Sequence, residues 1–188
     1  MNKYKIIALF GESGTGKDSI KKYLVKNENM NNIISFTSRP KRDNEIDNVD
    51  YHFITKDKFL QLMQKKKFLE VSIFNHWYYG SSVDSLKKDT INIGVFNVHG
   101  VSNLLKSKNL DVFPVRIQVS DEKERLIRTL NREKNPNCSE ICRRFLADQE
   151  DFKIIPFQYH TFFNDKNQFS FKDFLKLIDE NFVEAKNN

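Results

Sequence analysis

The chain has 188 residues, 39% hydrophobic and 30% charged, with a formal net charge of +6. That length fits one domain with a substantial core, and no apolar run approaches the roughly 20 residues that span a bilayer. The arginines sit in short separate motifs rather than one basic tract, which favours phosphorylated small molecules over nucleic acid or a membrane surface.

The first residues carry no apolar leader with a small-residue cleavage site, so a cytoplasmic protein is expected. Cys138 and Cys142 lie one helical turn apart in a polar stretch. Two thiols alone make a poor zinc site, and a reducing compartment disfavours a disulfide, so they read as ordinary thiols. The four histidines are scattered, without metal-ligand spacing.

Residues 6–10, Ile-Ile-Ala-Leu-Phe, read as a buried strand. Gly11-Glu12-Ser13-Gly14-Thr15-Gly16-Lys17-Asp18-Ser19 follows, and then a helix with Ile20, Tyr23 and Leu24 on one face. Strand, glycine loop and helix make a phosphate loop. Glycines let the backbone wrap a polyphosphate so that several N–H groups point at its oxygens, and the helix N-terminus adds its partial positive charge. Lys17 brings a full charge to the β- and γ-phosphates. The residue after that lysine is usually a hydroxyl that binds Mg²⁺; here it is Asp18, with Ser19 one place later. A carboxylate is also a hard ligand for Mg²⁺, so Asp18 and Ser19 are the candidate metal residues.

A short strand is expected at 33–36. The passage after it carries Arg39, Arg42 and Tyr51, which suit a second anion site: two guanidinium forks and a hydroxyl donor. Phe59, Leu60, Met63, Phe68 and Leu69 predict an inward-packing helix, with Glu70 directly after it. Residues 75–82 predict a hairpin turn with an aromatic wall, 83–88 a helix, and 91–98 a central strand ended by His99-Gly100. A helix over 101–106 and a strand over 112–119 come next, Pro114 suggesting an edge. Asp121 caps a helix to about 132 and Ser139 one to about 152. The last strand is 159–163, and Ser170 caps a final helix over 171–182 with Phe171, Phe174, Leu175 and Ile178 on one side. Strands alternating with helices predict an α/β fold: a P-loop-type parallel sheet flanked by helices. Residues 38–85 interrupt the alternation and predict an inserted lobe on a core of 1–37 and 86–188. A polar, arginine-flanked insert at 133–142 predicts a small lid that excludes water.

Along nearly its whole length the chain resembles the guanylate kinase family of P-loop nucleoside monophosphate kinases. The resemblance is carried by residues 11–17, by Ser35, Thr37, Arg39, Arg42, Glu45, Asp50, Tyr51 and Phe53, by Phe68-Leu69-Glu70, by Tyr78-Tyr79-Gly80-Ser81, by Arg128, Arg132 and Arg144, and by Asn164-Asp165. It implies transfer of the γ-phosphoryl of ATP to GMP or dGMP with Mg²⁺, by a monomer or homodimer. Residues 11–19 and Asn164 would bind ATP. Arg39, Arg42, Tyr51 and Tyr79 would hold the acceptor phosphate and Ser35 and Glu70 would read the guanine edge, with Glu45, Ser81 and Asn97 also at the acceptor site. Lys17, Arg39, Arg128, Arg132 and Arg144 would be catalytic. A carboxylate accepting from guanine N1 and N2, and a hydroxyl donating to O6, fit those assignments.

Departures from the family pattern keep rivals open. The family strand carries acids where this chain has Val95 and Asn97, and glutamine where it has His99; its loop proline is Glu12. Asp18 would take over the charge missing at Val95. Lys17-Asp18-Ser19, Pro114-Val115, Gln118-Val119-Ser120 and His160-Thr161 also resemble ribose 1,5-bisphosphate phosphokinase, a relative that phosphorylates a sugar phosphate. Another (d)NMP kinase, or a guanylate-kinase-like protein-binding module without catalysis, are the remaining alternatives.

Overall fold

The computed structural model describes residues 3–42, 45–74, 76–132, 134–165 and 170–182. Asn75 of the expected turn, residues 43 and 44 of the arginine passage and residue 133 of the expected lid lie outside them. Among the described residues no helix is long and apolar enough to cross a membrane.

Strand β1 (Tyr4–Phe10) forms because five successive apolar side chains, Ile6 to Phe10, are all removed from water. A strand buried on both faces needs such a run rather than alternation. Its odd and even residues serve different layers. Ile7 and Leu9 pack with Ile20 and Leu24 of α1 (Lys17–Asn27) and with Phe174 and Ile178 of the C-terminal helix. Ile6, Ala8 and Phe10 pack with Val101 and Leu104 on the other face. Each such buried aliphatic side chain contributes about 2 kcal/mol over exposure.

After α1 come β2 (Asn31–Asn32), β3 (Phe36–Thr37), β4 (His52–Phe53), α2 (Lys56–Gln64), β5 (Phe68–Phe74), β6 (Trp77–Ser82) and a 3₁₀ turn, Val83–Ser85. Then follow β7 (Ile91–Val95), α3 (Val98–Leu105), β8 (Leu110–Gln118), α4 (Glu122–Leu130), α5 (Cys138–Asp151), β9 (His160–Phe163) and α6 (Phe171–Phe182). The first sheet is wholly parallel, in the order β2-β7-β1-β8-β9. The second, β4-β3-β6-β5, is mixed. The chain is therefore α/β, a parallel sheet flanked by helices.

Several local expectations are corrected. The strand expected at 33–36 does not form as one piece: β2 ends before it in the first sheet and β3 begins inside it in the second. Phe68 and Leu69 lie in β5, not in a helix, because β5 pairs with β6 in a hairpin, Phe68 opposite Ser82 and Leu69 in the bulge before Glu70; Met63 is exposed on α2. The helix at 83–88 is only a 3₁₀ turn. His99-Gly100 does not end β7 but sits inside α3, whose N-cap is Asn97. Asn137, not Ser139, caps α5 by accepting from Glu140 N. β8 is an inner strand; Pro114 is tolerated because pairing with β9 begins only at Val115. Asp121 caps α4 and Ser170 accepts from Asp173 N, as expected.

Candidate active site

The phosphate loop occupies the turn from β1 into α1. Gly16 is the N-cap of α1 in the left-handed region (φ 88°) and supplies no side-chain cap. The first N–H groups of α1 are thus not answered by a capping side chain, as an anion site needs. Gly14 (φ 85°) lies so close to α4 that a Cβ would stand 2.6 Å from the Arg125 carbonyl. Asn164, just beyond β9, donates from Nδ2 to the Thr15 carbonyl at 2.8 Å.

Lys17 Nζ donates to the Glu12 carbonyl at 2.6 Å and to Thr15 Oγ1 at 3.3 Å. Burial pushes its ammonium below the usual lysine range, against the charges of Asp18, Asp148 and Glu12. Thr15 is fully buried, and Glu12 turns beneath the loop to pair with Arg116 of β8.

One cleft of about 890 Å³ runs from this loop to the second sheet. From the loop side it is lined by Gly11, Ser13, Gly14, Gly16, Lys17, Asp18, Ser19 and Asn164; from α4, the turn after it and α5, by Arg128, Arg132 and Arg144. From the second sheet and its flanks come Ser35, Arg42, Tyr51, Glu70 and Tyr79, and from the start of α3 comes Asn97. Glu12, Thr15, Arg39, Glu45 and Ser81 do not line it. They stand behind the residues that do.

At the far end Glu70 is buried on β5, and desolvation raises its pKa to about 7 against a hydrogen bond from Ser81. Ser35 Oγ and Ser81 Oγ are 2.9 Å apart. Asn97 spends Oδ1 on Gly100 N (2.7 Å) and donates from Nδ2 to Ser72 Oγ at 3.0 Å. In the middle, Glu45 takes Arg39 Nη2 at 2.8 Å and the Arg42 backbone N–H at 2.9 Å. Burial opposes its charge, but these donors win and hold the carboxyl below the usual range. Burial likewise raises the Tyr51 hydroxyl, so that group stays a neutral donor. Lys22 of α1 bridges to Asp50 at 3.0 Å, tying the first sheet's helix to the second sheet's loop.

Sequence reasoning missed Arg116, Arg125, Asp148 and Ser72. Arg125 precedes Arg128 by one turn of α4, and Asp148 follows Arg144 by one turn of α5. That spacing is the only signal they carry. Among the described residues no cluster of three or more His, Cys, Asp or Glu is arranged to hold a metal. Asp18 and Ser19 both line the cleft next to Lys17, and their hard oxygens suit Mg²⁺.

A parallel sheet bearing this loop, facing a second sheet that carries Tyr79 and buried Glu70 and whose β3–β4 connection carries Arg39, Arg42 and Tyr51, has the layout of a P-loop kinase. Residues 3–175 match the family model described as guanylate kinase. The chain belongs to the guanylate kinase family. It is 38% identical to guanylate kinase of Mycoplasma mobile over 143 residues, 70% of this chain and 71% of that one. It is 36% identical over 88 residues to that of Schizosaccharomyces pombe, 46% of this chain and only 44% of the relative. The fold resembles the crystal structure of guanylate kinase from Anaplasma phagocytophilum with a TM-score of 0.63 at 16% identity, covering 100% of this chain and 89% of that one.

Proposed function

We infer that the chain is a guanylate kinase, transferring the γ-phosphoryl of ATP to GMP or dGMP and releasing ADP and the diphosphate. The observation that carries this is the cleft with a phosphate loop at one end and buried Glu70 with Ser35, backed by the Ser81 hydroxyl, at the other. A carboxylate and the Ser35 hydroxyl match the N1–H, N2–H and O6 edge of guanine. A ribose bisphosphate has no such edge, and a module that had abandoned catalysis would have no use for Lys17 and four cleft arginines. Neither rival is favoured.

The first sheet with its helices is the donor half, the second sheet the acceptor-binding lobe, and the segment joining α4 to α5 the lid. The loop N–H groups and Lys17 hold the β- and γ-phosphates of ATP, and Asn164 supports the loop from behind. Arg42, Tyr51 and Tyr79 take the acceptor phosphate, with Arg39 held against Glu45 until that phosphate arrives. Arg128, Arg132 and Arg144 balance charge on the phosphoryl group in flight. The acceptor phosphate is already an anionic nucleophile, so no strong protein base is needed; catalysis is positioning and charge neutralisation. Asp18 and Ser19 would hold Mg²⁺, which when bound offsets the negative charge of the donor phosphates.

The test is ADP release with ATP and Mg²⁺ against GMP, dGMP, AMP, CMP, UMP, dTMP and ribose 1,5-bisphosphate. Turnover on GMP and dGMP alone is expected. Turnover on the sugar bisphosphate alone, or on no acceptor with folded protein, overturns the reading.

A further inference from the structure

We propose that Arg125 and Asp148 are positioning residues for the donor nucleotide: together they clamp the phosphate loop at Ser13 and set its shape for ATP. The proposal rests on the reading of that loop as the donor-phosphate site.

Ser13 is gripped by its backbone on both sides. Its N–H donates to Asp148 Oδ2 at 2.8 Å. Its carbonyl accepts from Arg125 Nη1 at 3.2 Å. The same guanidinium nitrogen donates to Asp148 Oδ2 at 3.0 Å, which closes a ring of three hydrogen bonds. Both side chains are 8% exposed. The Arg125 guanidinium sits over the Phe145 ring, its Cζ 3.9 Å from the ring centre, so it has little freedom to swing away.

Stability alone does not account for this pair. A buried ion pair is generally no more stabilising than apolar side chains of the same volume, because both charges lose their water. The charged version adds something that an apolar contact cannot: a donor and an acceptor for the loop backbone. Burial accordingly pushes the Asp148 carboxyl up, while Ser13 N–H, Lys17 and Arg125 act to keep it charged.

The clamp sits where it matters for the loop. Ser13 precedes Gly14, whose left-handed backbone is pressed against Arg125 and Thr129 of α4. Fixing both peptide groups of Ser13 therefore fixes the start of the turn that aims the N–H groups of residues 14–17. The partners come from α4 and α5, which also carry Arg128 and Arg144. The loop that holds the donor and the helices that bring the arginines are thus joined by one buried ring, rather than meeting only when substrate is present.

The experiment compares wild type, Asp148→Asn and the double variant Arg125→Met/Asp148→Ala. Affinities for ATP with Mg²⁺ and, separately, for GMP are measured by calorimetry, alongside the melting temperature. ATP binding is read without acceptor, so a failure of the GMP assignment leaves this test intact. The double variant removes both charges and is expected to melt within a few degrees of wild type. It is expected to bind ATP at least tenfold more weakly, with GMP affinity within twofold. A double variant that keeps wild-type ATP affinity overturns the proposal and leaves the pair structural. Equal weakening for ATP and GMP also overturns it, as general loosening. Should the double variant not fold, Asp148→Asn decides, because asparagine keeps the shape and an acceptor for Ser13 N–H. At least threefold weaker ATP binding with unchanged melting supports the clamp; unchanged ATP binding overturns it.

Discussion

Asn164 Nδ2 donates to the Thr15 carbonyl at 2.8 Å, so the segment after β9 holds the floor of the phosphate loop from across the sheet. A Cβ at Gly16 would run into that same amide nitrogen. Gly16→Ala is therefore opposed twice, by the left-handed backbone (φ 88°) and by the neighbour. The backbone term alone is about 1–2 kcal/mol. The expected result is a lower melting temperature and a kcat down roughly 100-fold, the scale of a misplacement of about 1 Å in a catalytic group. Asn164→Ala should lose less, since it leaves the backbone free to keep its turn.

Lys17→Met should cost on the order of 10³-fold in kcat, the scale of removing one preorganised charge-stabilising donor. The protein should stay folded, because the ammonium it removes is held at a cost in desolvation. Steady-state kinetics with a melting curve on the same sample checks both halves; undiminished turnover would exclude Lys17 from the reaction.

Glu70 links pH to stability and to acceptor binding with opposite signs. Its folded pKa is raised from 4.5 to about 7 by burial. Between those values the folded protein binds the proton more tightly than the unfolded chain. The contribution is full below pH 4.5 and is lost as pH rises through 7, by about 3 kcal/mol in all. Guanine needs the ionised carboxylate, so kcat/KM for GMP should climb across the same window. Glu70→Gln should flatten both slopes. A Glu70→Gln variant with the wild-type pH profile would remove Glu70 from the acceptor site.

Glu45 keeps Arg39 and Arg42 paired before an acceptor arrives. Glu45→Gln leaves two partly buried guanidinium groups short of a counter-charge, and breaking a buried pair costs about 3–5 kcal/mol. The melting temperature should fall without ligand and recover in part with saturating GMP, whose phosphate replaces the lost charge. A deficit indifferent to GMP would mean that these arginines do not meet the acceptor phosphate.

Asp18→Asn should raise the Mg²⁺ concentration for half-maximal activity roughly tenfold, and Ser19→Ala less, because a charged oxygen binds a hard cation more strongly than a hydroxyl. A Mg²⁺ titration of each variant separates the two. Equal midpoints for wild type and Asp18→Asn would assign the metal elsewhere.

The phosphate loop and the parallel sheet were legible because each depends on neighbours in sequence. β1 is an unbroken apolar run, and the glycines at 14 and 16 sit where the turn demands a left-handed backbone. The strand at 33–36 was misread because apolar residues there are divided between two sheets, and a string of letters does not say which sheet claims each. Phe68-Leu69 is too short a run to distinguish helix from strand until β6 pairs with it. Ser139 lost the capping position to Asn137, an equally good cap two residues earlier. The ring around Ser13 was invisible for a different reason. Its members stand at 13, 125 and 148, and only the docking of α4 on α5 brings them together.

β2 and β7 are adjacent rungs of the first sheet, Asn31 opposite Asn92 and Asn32 opposite Ile93, although some sixty residues of chain run between them. The whole second sheet is thus a detour that leaves and re-enters at a single ladder. β1 itself pairs only with β7 and β8, so the outline and length of the detour can vary without touching that ladder. With the second sheet as the proposed acceptor lobe, what receives the phosphoryl group can change while the apparatus that delivers it stays.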